Sequence, residues 1–221
     1  MLTIVGRAFA LLAQRWPLYL IAATTTIALE ASVVVLWHVP VALEFANDAI
    51  TPILVTLVYA FVAADMREVR EGNAAISARA LERVWAVIVI DFLVTILFEN
   101  GLGYLSIATI PGSLGGTLLL FFAAMLIFAD VSATIDDTAS LILLIPNAIA
   151  RSIVTAVQRR MFYRVLILFT AQFVVGFVAN AIYAGLHAAH LAHPMLWSIV
   201  PVTAIASVPF AAVTVVLYRT A

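Results

Sequence analysis

Long apolar stretches and arginines alternate along this chain, and the alternation limits its fold more than any other feature. All eleven basic residues are arginine. Arg7 and Arg15 precede a first apolar stretch at about 16–37. Arg67, Arg70, Arg79 and Arg83 stand between the second (about 49–64) and the third (about 84–98). A fourth runs over about 117–129 and extends toward Ile135. Arg151, Arg159, Arg160 and Arg164 lead into the fifth (about 162–184), and Arg219 follows the sixth (about 195–218). A helix of about 20 apolar residues crosses a bilayer. The pattern therefore predicts an all-α integral membrane protein, a single membrane domain over 1–221 with six transmembrane helices. The segments between spans one and two, three and four, and five and six carry no arginine. Basic residues mark the cytoplasmic side, so both termini are expected in the cytoplasm and the protein in the bacterial inner membrane.

Composition agrees. Of 221 residues 65% are hydrophobic and 10% charged, with a mean hydropathy of +1.16. A soluble domain is about half apolar and a quarter charged. The absence of cysteine excludes disulfides, thiolate metal sites and cysteine nucleophiles. The absence of lysine excludes a Schiff-base cofactor, which needs an amine. No cofactor is expected. Arg7 and Arg15 interrupt the first apolar run, so a cleavable signal peptide is not expected. The arginines are few and tied to the membrane face, which argues against nucleic acid as a partner.

The basic segments are also amphipathic. In 3–15, Ile4, Ala8, Leu11 and Leu12 share one helical face. In 138–160, Ile142, Ile145, Ile149, Ile153 and Val157 form an apolar stripe, with Asn147, Arg151, Thr155 and Arg159 at four-residue spacing on the other side. Pro146 is expected to start or kink this helix. Between spans two and three, Ile76, Ala80 and Val84 repeat the theme. Shifting the N-terminus by 144 positions lays Arg7 on Arg151, Gln14 on Gln158, Arg15 on Arg159 and Tyr19 on Tyr163. A shift of 68 lays Arg15 on Arg83, and spans two and four both end in Ala-Asp, at Ala64-Asp65 and Ala129-Asp130. Three repeat units are expected, about 1–65, 66–137 and 138–221, each a cytoplasmic amphipathic helix followed by a transmembrane hairpin.

Ile110-Pro111-Gly112 before span four, the acidic pair Asp136-Asp137, and Ala148-Ile149-Ala150-Arg151-Ser152 before span five carry a family likeness. Over about 105–175 the chain resembles the bacterial membrane domain found ahead of some glycerophosphodiester phosphodiesterases, together with its stand-alone YciC-like relatives. The resemblance implies a helical membrane domain of generally undefined activity. The phosphodiesterase barrel is absent from this sequence, so no hydrolase residue carries over.

Three sets of residues are candidates for function. Basic amphipathic helices lie in the plane of an anionic membrane surface, which assigns lipid contact to Arg7, Arg15, Arg79, Arg83, Arg151, Arg159 and Arg160. Ionisable groups within spans are costly and default to functional sites. Glu30 and Asp91 are such groups, joined by Gln172 and Asn180; Asp91 and Gln172 lie about 10 Å from the cytoplasmic edge. Glu30, Glu99 and Asn180 lie about twice as deep. His187, His190 and His193, spaced for a helix in HAAHLAH, could hold a metal ion with nearby carboxylates. Glu99, Asn100 and the glycine-rich GLGYLSIATIPGSLGG are expected as a loop with a re-entrant or interfacial piece over Tyr104–Ile110.

The leading expectation is a non-enzymatic membrane protein that binds lipid, or a membrane-protein partner or second copy, through its arginine-bearing helices. The alternative is a small proton or divalent-cation transporter using the intramembrane acids and the outer histidines. A lipid-modifying enzyme ranks last, because no acid, base and nucleophile converge in the motifs.

Overall fold

A computed structural model describes residues 1–37, 40–67, 72–107, 109–136 and 143–221; within these, the side chains of Val34, of 36–37 and 40–48, and of Arg159 lie outside the description. The described residues form ten helices. They are α1 (Leu2–Gln14), α2 (Trp16–Trp37), α3 (Pro40–Met66), α4 (Asn73–Ser106), α5 (Ile110–Met125), α6 (Ala129–Ile135), α7 (Leu144–Ala156), α8 (Arg159–Ala188), α9 (Pro194–Trp197) and α10 (Ile199–Arg219). Five stretches are long and apolar enough to cross a membrane: Trp16–Val33, Ala49–Met66, Ile110–Ile135, Arg160–Ala188 and Pro194–Arg219. The expected third span is the middle of α4.

The centre is built by α3 and α10. α3 packs on α1, α2, α4, α6 and α10, and α10 packs also on α1, α2 and α8. Small β-branched and alanine side chains allow this close packing. Val58 and Val62 of α3 and Ala212, Val215 and Val216 of α10 are fully buried. α1 lays Ala8 and Leu11 into the same core, with Ile4 and Leu12 partly buried beside them, so the apolar face read from the sequence is the packed face. A second core joins α4, α6 and α7 through Ala86, Val87, Ile90, Ala129, Ala133 and Ala148.

Several boundaries differ from the sequence reading. α3 begins at Pro40, so the residues expected as the loop 38–48 are helical from that point. α4 has 34 residues, about 51 Å of helix, and carries Arg79, Arg83, the third apolar stretch, Glu99 and Asn100 without a break. Only 107–109 separate it from α5, so the stretch expected as a loop forms the end of α4 and the start of α5, which pack on each other as a helical hairpin. Glycine makes that hairpin possible: a Cβ on Gly116 would lie 2.6 Å from the Gly101 carbonyl oxygen and 2.8 Å from the Leu105 nitrogen. The hydrocarbon-compatible solution for two adjacent helices is this close backbone approach over small residues.

α7 is shorter than the expected 138–160, because it ends at Ala156 and the chain turns at Val157–Gln158 before α8. Pro146 sits in its first turn, where its missing N–H costs little. The buried stripe of α7 is Leu144, Ala148, Ser152 and Ala156, and the isoleucines Ile145, Ile149 and Ile153 flank it only partly buried. Asp137 and Ile142 lie outside the described residues.

Candidate functional site

The fourth apolar stretch is broken. α5 ends at Met125, α6 starts at Ala129, and the turn between them leaves backbone groups that neither helix satisfies. Ser152 of α7 bridges the gap: its hydroxyl donates to the Met125 carbonyl at 2.7 Å and accepts from the Phe128 N–H at 3.1 Å. Interrupted spans with satisfied backbone are found where a membrane protein lines an internal cavity.

Just beyond the break, Asp130 enters a cleft of about 320 Å³ between α3, α4, α6, α8 and α10. Asp91 of α4 lines the same cleft. Gln172, Tyr59, Thr95, Thr203, Ser207 and Thr214 add amide and hydroxyl groups. Among the described residues that line it, none is basic. One oxygen of Asp130, Oδ1, is buried with no hydrogen-bond partner among the described residues. Thr51, at the cleft wall, donates to Glu30 Oε1 at 2.8 Å, and Glu30 is fully buried, its other oxygen without a hydrogen-bond partner among the described residues.

The cleft opens sideways along α4 and α8. Asp91, Thr95 and Glu99 follow at four-residue spacing on α4, as do Gln172, Gly176 and Asn180 on α8. A groove of about 590 Å³ runs between them and shares Thr95, Gln172 and Gly176 with the cleft. Phe98 caps it by packing edge-on against Phe169 at 5.9 Å between ring centres and beside Phe173. Glu99 then lines a further pocket at the far end of α4.

The structure thus gathers the sequence-predicted Asp91 and Gln172 in one cleft, links Glu30 to it through Thr51, and places Asn180 and Glu99 on the groove that leads from it. Asp130 was missed. In sequence it sits in an Ala-Asp pair that matches Ala64-Asp65, the end of span two. The helix break changes its role, because Asp65 faces Arg15 while Asp130 lines the cleft that also holds Asp91. The signal that could have found it is the 130–136 separation: two acids about 9 Å apart along a helix cannot both mark the membrane edge.

The arginines take three different roles. Arg15 Nε donates to both oxygens of Asp65, at 3.0 and 2.8 Å, and Nη2 to Oδ1 at 2.6 Å, with the guanidinium over the Phe61 ring. The hydrogen-bonded carboxylate holds Arg15 above its ordinary value, so it keeps its charge. Arg83 Nη1 donates to the carbonyls of Ala133, Thr134 and Asp136, closing the C-terminal end of α6. Arg151 pairs with Asp136 at 3.1 Å. These three hold helix ends together. Arg7, Arg79 and Arg160 are exposed, and the Arg159 side chain lies outside the described residues.

The histidines do not share a helix. α8 ends at Ala188, and His190 and His193 both take left-handed backbone conformations, with φ of 54° and 52°. His187 stacks on Tyr183 instead. Among the described residues, no three His, Asp or Glu side chains converge as a metal site. His38 lies outside them.

No family model, curated protein or solved structure matches this chain.

Proposed function

We propose that the protein is a multi-pass membrane carrier for a proton or a small alkali cation, with Asp91 and Asp130 as the binding pair. One observation carries the reading: Asp130, within the apolar stretch Ile110–Ile135, shares a cleft with Asp91 of another helix, and no basic residue lines that cleft among those described. Two negative charges in a low-dielectric cleft repel, and a proton or cation placed between them removes the repulsion. The hydroxyls of Thr95, Thr203, Ser207 and Thr214 supply neutral oxygens for the remaining coordination. The broken α5–α6 segment and the groove along α4 and α8 give the site an interrupted helix and a route toward the end of α4 that carries Glu99. The same proposal takes α4 as a sixth span, places both termini in the cytoplasm of a bacterial cell, and keeps the three-unit repeat. Ala8 and Ser152, equivalent at the 144-residue offset, are both fully buried. It also keeps the likeness to the YciC-like membrane domain.

The test is flux in proteoliposomes. Purified protein is reconstituted, and either a pH step or a ²²Na⁺ gradient is imposed. The wild type dissipates one of the two, and Asp130→Asn and Asp91→Asn each abolish it. Equal flux in wild type, both variants and empty vesicles overturns the proposal.

A further inference from the structure

α4 packs on α3, α5 and α6, and α8 packs on α10, while a groove of about 590 Å³ stays open between α4 and α8. Four aromatic rings line it, Phe98 from α4 and Phe169, Phe173 and Phe177 from α8. Phe173 and Phe177 are 46% and 67% exposed, so these rings keep much of their surface uncovered. Polar groups stand among them. Glu99, Gln172 and Asn180 line the groove and are exposed, and Gln172 and Asn180 belong to the apolar stretch Arg160–Ala188. The groove meets the acidic cleft at Thr95, Gln172 and Gly176. Asp91 of the cleft and Glu99 of the groove are eight residues apart on α4, about 12 Å. The aromatic middle therefore has an acid toward each end, and no basic residue lines groove or cleft among those described.

A bare ion does not account for this groove. It needs oxygen ligands close around it, which phenyl rings do not supply, and the volume is that of a pocket for a small organic molecule. A lipid chain does not account for it either. Amide and carboxyl groups turned to hydrocarbon are costly. A chain-filled gap in this protein would resemble the pocket of about 210 Å³ between α1, α8 and α10, whose described lining, Val5, Ile167, Leu168 and Phe210 among it, is wholly apolar. Rings and acids together suit a molecule with an apolar body and a positive charge. Aromatic faces attract cations, more strongly where water is excluded.

We infer that the groove between α4 and α8 binds a lipophilic organic cation, its apolar body among Phe98, Phe169, Phe173 and Phe177 and its charge toward Asp91 and Asp130. The inference rests on the reading of that pair as the ion-binding site, and it names a second cargo. The organic cation and the proton or alkali ion neutralise the same carboxyl groups. They exclude each other, and the carrier exchanges one for the other.

The probe is [³H]tetraphenylphosphonium. Its binding to the full chain in phosphatidylcholine nanodiscs is measured by scintillation proximity against empty nanodiscs, and the ion flux of the wild type in proteoliposomes is measured alongside. Saturable binding is expected, displaced by the ion that the wild type carries. Triphenylphosphine oxide, a neutral molecule of related shape, is expected to compete roughly tenfold less well. Phe173→Ala/Phe177→Ala is expected to weaken binding roughly tenfold, and Asp130→Asn to abolish it. Binding no greater than to empty nanodiscs overturns the inference. So does equal competition by the neutral molecule, which would mark a site for lipid, and so does wild-type binding in either folded variant. Should the aromatic variant fail to fold, photolabelling of the wild type with an azidophenyl-triphenylphosphonium probe decides. Label within 94–102 and 169–180 supports the groove, and label elsewhere overturns it. Ion flux without tetraphenylphosphonium binding overturns this inference and leaves the carrier reading in place. Binding without ion flux supports the groove's ligand and overturns the carrier reading.

Discussion

Ser152 donates to the Met125 carbonyl and accepts from the Phe128 N–H, so one hydroxyl on α7 closes the break between α5 and α6. The residue is fully buried, and water cannot take its place without space. Ser152→Ala leaves a buried donor and acceptor unsatisfied, which costs about 1–3 kcal/mol. Thermal unfolding in detergent is expected to show a lower midpoint for this variant. Ser140 lies outside the described residues, so the comparison is with exposed Ser113, where Ser113→Ala is expected to leave the midpoint in place.

Gly116 and Gly115 are neighbours with opposite expectations. A Cβ on Gly116 would meet the Gly101 backbone at 2.6 Å, whereas nothing lies within 4 Å of one on Gly115. Gly116→Ala pushes α4 from α5 and is expected to cost about 1–3 kcal/mol. Gly115→Ala is expected to be neutral or to stabilise by up to about 1 kcal/mol, since alanine favours helix over glycine. Melting curves of the two single variants, run side by side, check the contrast, and equal shifts would mean the two helices are not packed this way.

Much of the fold could be read from the chain because hydropathy and arginine placement act locally. The buried face of α1 followed from Ile4, Ala8, Leu11 and Leu12, and the spans near 16–37, 49–64 and 162–184 followed from apolar length. What escaped was set by contacts distant in sequence. The glycines of GSLGG read as loop formers because their partner, Gly101, sits on another helix. On α7 the isoleucines drew attention, while the packed stripe is Leu144, Ala148, Ser152 and Ala156, chosen by size and not hydropathy. Asp91 and Gln172 were visible as polar residues in apolar runs. Asp130 was hidden, because the break that turns it inward depends on Ser152.

Asp136 joins four helices, and its partners differ in weight. Its carboxylate accepts from Ser132 at 2.7 Å and from the Tyr218 hydroxyl, while Arg151, 45% exposed, makes the ion pair. Its backbone carbonyl accepts from Arg83 at 2.7 Å. An exposed pair is worth about 0–1 kcal/mol and is screened by salt. Arg151→Gln is therefore expected to lower stability by less than about 1 kcal/mol, with the difference fading at high salt. Asp136→Ala also strands the Tyr218 and Ser132 hydroxyls and is expected to cost about 2–4 kcal/mol. Unfolding midpoints at low and high ionic strength separate the two, and a large salt-independent loss in Arg151→Gln would assign that arginine a buried role.

Glu99 stands two helical turns beyond Asp91 on the same face of α4, with Thr95 between them, and Gln172 and Asn180 repeat the spacing on α8. If the groove between the helices feeds the Asp91–Asp130 pair, its two ends differ in kinetics. Removing charge at the binding pair removes the site, whereas Glu99→Gln removes an entry charge whose benefit is to concentrate cations at the mouth. Glu99→Gln is expected to slow flux severalfold at low salt and to approach wild-type flux as ionic strength rises. Asp130→Asn is expected to remain inactive at any salt. Initial rates in proteoliposomes across a salt series check both. A Glu99→Gln variant as dead as Asp130→Asn would move Glu99 into the site itself, and one with unchanged rates would show that ions enter by another route.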